Sequence, residues 1–134
     1  MDKLNGHYIV VGYGQLGKAI VEELHATGVP VCVIERSEDL GAELERRMGY
    51  TVVVGDGSTD EVLKAAGIQR ARGLAVAVSS GPEAVYVTLS ARELNPQLYI
   101  ITRAADSEHA VKARRAGASS VASAFFVAPS GAST

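Results

Sequence analysis

The chain has 134 residues, 47% of them hydrophobic, with 13 Lys and Arg against 15 Asp and Glu and a formal net charge of −2. That size supports one compact domain with its own core and leaves no room for a nucleotide fold plus a separate substrate domain. Dispersed basic residues and an aromatic content of 5% argue against nucleic acid as a partner, and no apolar run approaches the roughly 18 to 20 residues needed to span a bilayer.

Met1-Asp2-Lys3-Leu4 is no signal peptide, which points to the cytoplasm. Short β-branched runs are expected as strands at residues 7–11, 31–35, 51–55, 74–79, 98–103 and 120–124. They are nearly continuous in apolar residues, the pattern of parallel strands covered by helices on both faces. The single cysteine, Cys32, falls in one of these runs and reads as a buried, inert thiol.

Helical spacing fills the gaps, as in Ala19, Ile20, Glu23 and Leu24 or in Val85, Leu89, Ala91 and Leu94, each segment about three turns long. Gly28, Gly49, Gly67 and Gly117 follow these segments as C-terminal stops. Ser37, Ser58 or Thr59, Ser80 ahead of Pro82, and Ser107 stand as N-caps. Strict alternation of strand and helix implies right-handed crossovers and a Rossmann-like, doubly wound α/β fold: a mainly parallel six-stranded sheet in three αβα layers, ordered 3-2-1-4-5-6. Residues 1–134 read as one domain, with the tail 129–134 as a frayed end.

Gly12-Tyr13-Gly14-Gln15-Leu16-Gly17 follows the first strand directly and leads into a helix over 18–27, the context in which G-x-G-x-x-G has a mechanism. Gly12 permits the tight turn, Gly14 lets backbone amides approach phosphates, and Gly17 lets helix pack on strand. The helix N-terminus adds partial positive charge for a diphosphate. Glu35 ends the next strand, placed to accept both ribose hydroxyls. Its charge would repel a 2′-phosphate, so the expected ligand carries a free diol (NAD or NADH, alternatively ATP, ADP or AMP) and not NADP. The neighbouring Arg36 pulls slightly the other way. Asp56, in Gly55-Asp56-Gly57-Ser58 after the third strand, is placed for the adenine amino group or, equally, for bonds only to its own turn.

These residues together resemble the RCK domain, the regulator of potassium conductance, also described as the Trk-type N-terminal domain. The resemblance runs through His7 to Gly14, Gly55 to Ile68, Arg70 to Leu74, Leu89 to Pro96, Ile101 to Ala104 and Ala116 to Ala118, and is nearest to prokaryotic potassium channels. It implies that Gly12, Tyr13, Gly14, Gln15, Leu16 and Gly17 hold the diphosphate, and that Glu35 and Arg36 lie at the ribose. It also implies that Asp56, Gly57 and Ser58 lie at the adenine edge, with Ser79, Ser80 and Arg103 toward the phosphates or the distal half of the ligand. The chain departs from the pattern at Ser80-Gly81-Pro82-Glu83-Ala84, where the family's Asp and Asn are missing, and at Thr102-Arg103-Ala104-Ala105, which carries no carboxylates for calcium. No metal is therefore expected. Ala124 stands where proline is common, and the family's peripheral helix and second lobe are absent from this sequence.

The resemblance implies a homodimer, possibly an octameric ring, on the cytoplasmic side of a potassium channel or transporter whose pore lies upstream or on a separate subunit. Leu4-Asn5-Gly6-His7 resembles the junction after a channel's pore helix, which favours a channel over a separate transporter subunit, with a cation/proton antiporter regulatory domain as the nearest neighbour. Val85, Leu89 and Val111 are candidates for a dimer contact, although packing on the sheet explains most such positions. The different-class alternative, a fragment of an NAD-dependent oxidoreductase, lacks visible machinery. His7, His25 and His109 accompany no metal-ligand set and read as surface or boundary residues, and Tyr86 begins Tyr-Val-Thr-Leu-Ser, not Tyr-x-x-x-Lys. The expected role is sensing by differential affinity for two states of an assembly, not catalysis.

Overall fold

The computed structural model describes residues 4–123. Its strands are β1 (Tyr8–Val11), β2 (Val31–Glu35), β3 (Thr51–Val54), β4 (Gly73–Val76), β5 (Tyr99–Ala104) and β6 (Ser120–Ser123). They form a six-stranded sheet in the order β3-β2-β1-β4-β5-β6, every pair parallel. The sheet reverses its direction of growth between β1 and β4, and that switch point lies above Val11, which pairs with Ile34 on one side and Val76 on the other.

The connecting helices are α1 (Gln15–Ala26), α2 (Glu38–Glu43), α3 (Asp60–Ala65), α4 (Gly81–Leu94) and α5 (Ser107–Ala116). Alternate residues of the central strands enter two cores. Val10, Val33 and Ala75 pack with Val21 of α1 and with Leu44 and Tyr50 on one face. Ile9, Val11, Ile34, Leu74, Val76 and Ile100 pack with Leu63 of α3 and with Val87 and Ala91 of α4 on the other, and α5 lies against α4, β5 and β6. Burial on both faces explains why β1 and β2 read as unbroken apolar runs, whereas β5 alternates, with Ile100, Thr102 and Ala104 buried and Tyr99 exposed.

Several local expectations give way to tertiary structure. Helices α2 and α3 are only six residues long, not three turns; α2 runs on into a π-helical turn at Leu44–Met48, and α3 stops at Gly67, whose φ of +78° is left-handed. The expected fourth strand ends early, so that residues 77–80 form the loop into α4. Of the two expected caps of α3, it is Thr59 that accepts from Val62 N. Asp106, not Ser107, caps α5: its backbone is extended, and its Oδ1 accepts from His109 N at 2.8 Å. Ala124 and the tail 129–134 lie outside the described residues.

His7 is the largest departure. It is fully buried beneath the sheet, where its Nε2 lies 2.8 Å from the Ala66 carbonyl oxygen at the end of α3, while Nδ1 has no partner among the described residues. Burial holds its pKa below the usual histidine value, and the nearby Arg70 charge pushes the same way against the Ala66 bond. His25 is exposed on α1 beside Tyr50, and His109 pairs with Asp106 at 2.9 Å.

Candidate nucleotide site

Gly12 leaves β1 with φ +95°, its N–H donating to the Ile34 carbonyl at 2.9 Å. Gly14 is the N-cap of α1 with no side-chain cap, and the first turn carries no acid. The early amide hydrogens of that turn thus have neither a capping side chain nor a carboxylate to satisfy them. A Cβ at Gly14 would meet nothing within 4 Å, whereas one at Gly17 would collide with the Gly12 carbonyl oxygen. The first glycine leaves room for something outside the chain, and the second lets α1 sit against its own loop.

A cleft of about 410 Å³ opens over this loop at the sheet's switch point, within the size range of small-molecule sites. Val11, Gly12, Gly14, Gln15 and Leu16 line it from the loop, and Ile34, Glu35, Arg36, Gly55 and Gly57 from the ends of β2 and β3. Ala77, Val78, Ser79, Glu83 and Arg103 close the distal side. They project from the carboxyl ends of strands and from the first turns of α1 and α4, where open parallel sheets take ligands.

Glu35 joins the two halves of the cleft. Its Oε1 accepts from Tyr13 N at 3.2 Å and its Oε2 from Ser37 N at 3.0 Å, which leaves lone pairs on both oxygens for further donors. Asp56 spends its Oδ1 locally, accepting from Ser58 N at 2.9 Å and Ser58 Oγ at 2.8 Å. Those Ser58 bonds, with the Arg36 charge helping, hold its carboxyl below the usual range. Arg36 Nη2 lies 3.4 Å from Asp56 Oδ1 and 2.7 Å from Glu83 Oε2.

The residues singled out in the sequence thus divide. Gly12, Gly14, Gln15, Leu16, Glu35, Arg36, Gly57, Ser79 and Arg103 line the cleft; Tyr13, Gly17, Asp56, Ser58 and Ser80 do not. Tyr13 contributes its N–H to Glu35, but its ring turns to a neighbouring groove, 6.4 Å from the Tyr50 ring, where burial pushes its hydroxyl pKa up to about 12. The Ser80 hydroxyl caps α4. Glu83 is the charged lining residue that sequence reasoning passed over: Ser80-x-x-Glu83 looks like an ordinary capping box, and only the fold brings it to Arg36.

The residues fit an adenine nucleotide with a free ribose diol: uncapped amides and an open Gly14 for phosphate, and a carboxylate with spare acceptor capacity one strand away. Among the described residues, no group of three or more His, Cys, Asp and Glu is arranged to hold a metal ion, and no helix is long and apolar enough to cross a membrane.

The model of the TrkA-N domain matches residues 8–124. Potassium channel protein 1 of Methanocaldococcus jannaschii is 42% identical over 128 residues, covering 95% of this chain but 38% of that relative's length. The crystal structure of the TrkA-N domain of inner membrane protein ybaL from Escherichia coli superposes with a TM-score of 0.88 at 31% identity, covering 92% of this chain and 91% of that one. The GsuK channel bound to NAD superposes with a TM-score of 0.81 at 26% identity, covering 90% of this chain and 22% of that one. With a single family model accounting for the glycine loop, Glu35 and all six strands, the chain belongs to the TrkA-N domain family.

Proposed function

We propose that this domain senses an adenine nucleotide, NAD(H) or alternatively ATP, ADP or AMP, and thereby regulates potassium transport from the cytoplasmic side of a membrane. The observation that carries the reading is the Glu35 carboxylate beside the glycine loop, with acceptor capacity left over for a ribose diol. Gly12, Gly14 and the amides of Gln15 and Leu16 receive the phosphates, Glu35 the ribose, Gly57 the adenine edge, and Ser79 and Arg103 the distal group. In this reading the ligand is bound and not converted, its binding energy going into a choice between two states of an assembly.

The similarity to a potassium channel protein and to an NAD-bound channel supports attachment to a pore. The pore, on the same polypeptide or another, would be biased by whichever arrangement of paired domains binds the nucleotide more tightly. Leu89 and Val111, exposed on α4 and α5, are the residues through which two copies would meet. The likeness to the ybaL domain keeps attachment to another type of inner membrane transport protein as the second reading.

Calorimetric titration with NADH, NAD, ATP, ADP, AMP and NADP tests the site. Wild type is expected to bind at least one ligand carrying a free diol, and Glu35→Ala to bind it about 1 to 3 kcal/mol more weakly. Equal binding by the variant, or none by wild type, sinks the assignment. NADH oxidation in the presence of a small carbonyl compound would replace sensing with an oxidoreductase role.

A further inference from the structure

Glu83 lies outside the glycine loop, yet its carboxylate lines the same cleft as Glu35. It stands three residues after the Ser80 cap of α4, where a Ser-x-x-Glu box normally folds the glutamate back onto the N–H of the cap residue. Glu83 points across the crevice instead, accepting a 2.7 Å hydrogen bond from Arg36 Nη2. The same nitrogen lies 3.4 Å from Asp56 Oδ1. One guanidinium thus ties the end of β2 to the turn after β3 and to the first turn of α4. The Glu83 side chain is 25% exposed and that of Arg36 62%, so the acid is the sunken partner and the cation rests over it.

An arginine beside the ribose acid is the residue type that accommodates a 2′-phosphate in related sheets, and Arg36 directly follows Glu35. Here its charge is already shared between two carboxylates. We propose that Glu83 is a specificity-determining residue: by holding Arg36 across the crevice it denies the guanidinium to a 2′-phosphate, and so reinforces Glu35 in selecting a free ribose diol. The inference rests on the nucleotide reading above.

A 2′-phosphate that draws on Arg36 competes with Glu83 and Asp56 for the same guanidinium charge, and approaches Glu35 at like charge. A diol asks for neither. The first turn of α4 offers the phosphate little compensation, because Pro82 has no N–H, Glu83 N donates to Ser80 Oγ, and the Glu83 charge sits on that turn, which leaves the Gly81 N–H alone.

The test is the ratio of NADP to NAD affinity, measured by calorimetry on wild type, Glu83→Gln and the double variant Glu83→Gln/Arg36→Ala. Glu83→Gln is expected to raise the ratio about three- to fivefold, in the upper part of what a solvent-screened charge pair contributes, and the double variant to return it to the wild-type value. A ratio that does not move in Glu83→Gln, or a rise that persists without Arg36, overturns the role of Glu83 while leaving the nucleotide site standing. Failure of wild type to bind any nucleotide overturns both. Because the ratio compares two ligands on one protein, a partial loss of folded material cancels.

Discussion

Glu35 Oε1 accepts the backbone N–H of Tyr13 at 3.2 Å across 22 residues of sequence. This one bond ties the end of β2 to the middle of the glycine loop, so the acid that would meet a ribose also holds in place the loop that would meet its phosphates. Glu35→Gln keeps one acceptor oxygen and puts an NH2 donor in place of the other, so of the part-buried bond from Tyr13 N and the exposed bond from Ser37 N only one can persist. Urea denaturation is expected to show a loss of about 1 kcal/mol, with the midpoint shifted and the slope unchanged.

Gly14 and Gly17 separate binding from stability. A methyl group at Gly17 meets the Gly12 carbonyl oxygen, backbone against backbone with no flexible side chain to give way. Gly17→Ala should cost at least the roughly 1 to 3 kcal/mol of an overpacked site and lower the melting temperature accordingly. At Gly14 the methyl has open space, and the φ of −80° suits alanine. Gly14→Ala should therefore keep a melting temperature near that of wild type while losing nucleotide affinity, which differential scanning calorimetry and titration on the same preparation would separate.

His7 makes stability fall on mild acidification. Its folded pKa lies below the ordinary value of 6.5 because burial penalises the charged ring, so below that pH the unfolded chain binds the proton and the folded chain does not. The contribution of neutral His7 is fully present above the unfolded pKa and is lost as pH falls toward the folded one. Melting temperature should decline as pH falls from neutral through 6.5 and below in wild type. In His7→Gln, which retains a donor for the Ala66 carbonyl, the decline should be flatter over that interval. Identical profiles for the two proteins would refute this account. Asp56 acts in a separate window: its carboxyl is held below 3.8 by Ser58, so its contribution is present above that value and disappears only under stronger acid.

Thr59 caps a helix of only six residues, too short to persist without tertiary support. Thr59→Ala is expected to cost about 1 kcal/mol, read from chemical denaturation. Ser58→Ala leaves the cap in place and removes only the hydroxyl bond to Asp56, so its loss should be smaller. A larger loss at Ser58 would mean that the Asp56 turn, not the cap, secures this loop.

What was legible in the sequence was mostly local. The glycine spacing, the apolar runs of β1 and β2, and Glu35 at a strand end each depend on a few neighbouring residues, and strict alternation of strand and helix leaves few topologies once crossovers are right-handed. Burial of His7 could not be read that way. It depends on Ala66, 59 residues later, because the end of α3 closes the bottom of the sheet. The Tyr13 ring had the same ambiguity: its place in the loop suggests a ligand contact, but Tyr50, brought alongside by the chain between β2 and β3, draws it to the opposite side of the loop. The caps at Thr59 and Asp106 depend on the exact residue at which the backbone changes from extended to helical, which propensity locates only to within a residue or two.

By itself, the sequence determined the doubly wound sheet, the phosphate loop and the acid facing it, because apolar periodicity, glycine geometry and the length of a β-α-β unit are properties of contiguous chain. Only the tertiary structure decided how the charges around the cleft are shared. Arg36 and Glu83 are separated by 47 residues and meet because β2 and α4 flank the point where the sheet reverses; an ion pair depends on distance and solvent exposure, and both are set by that packing.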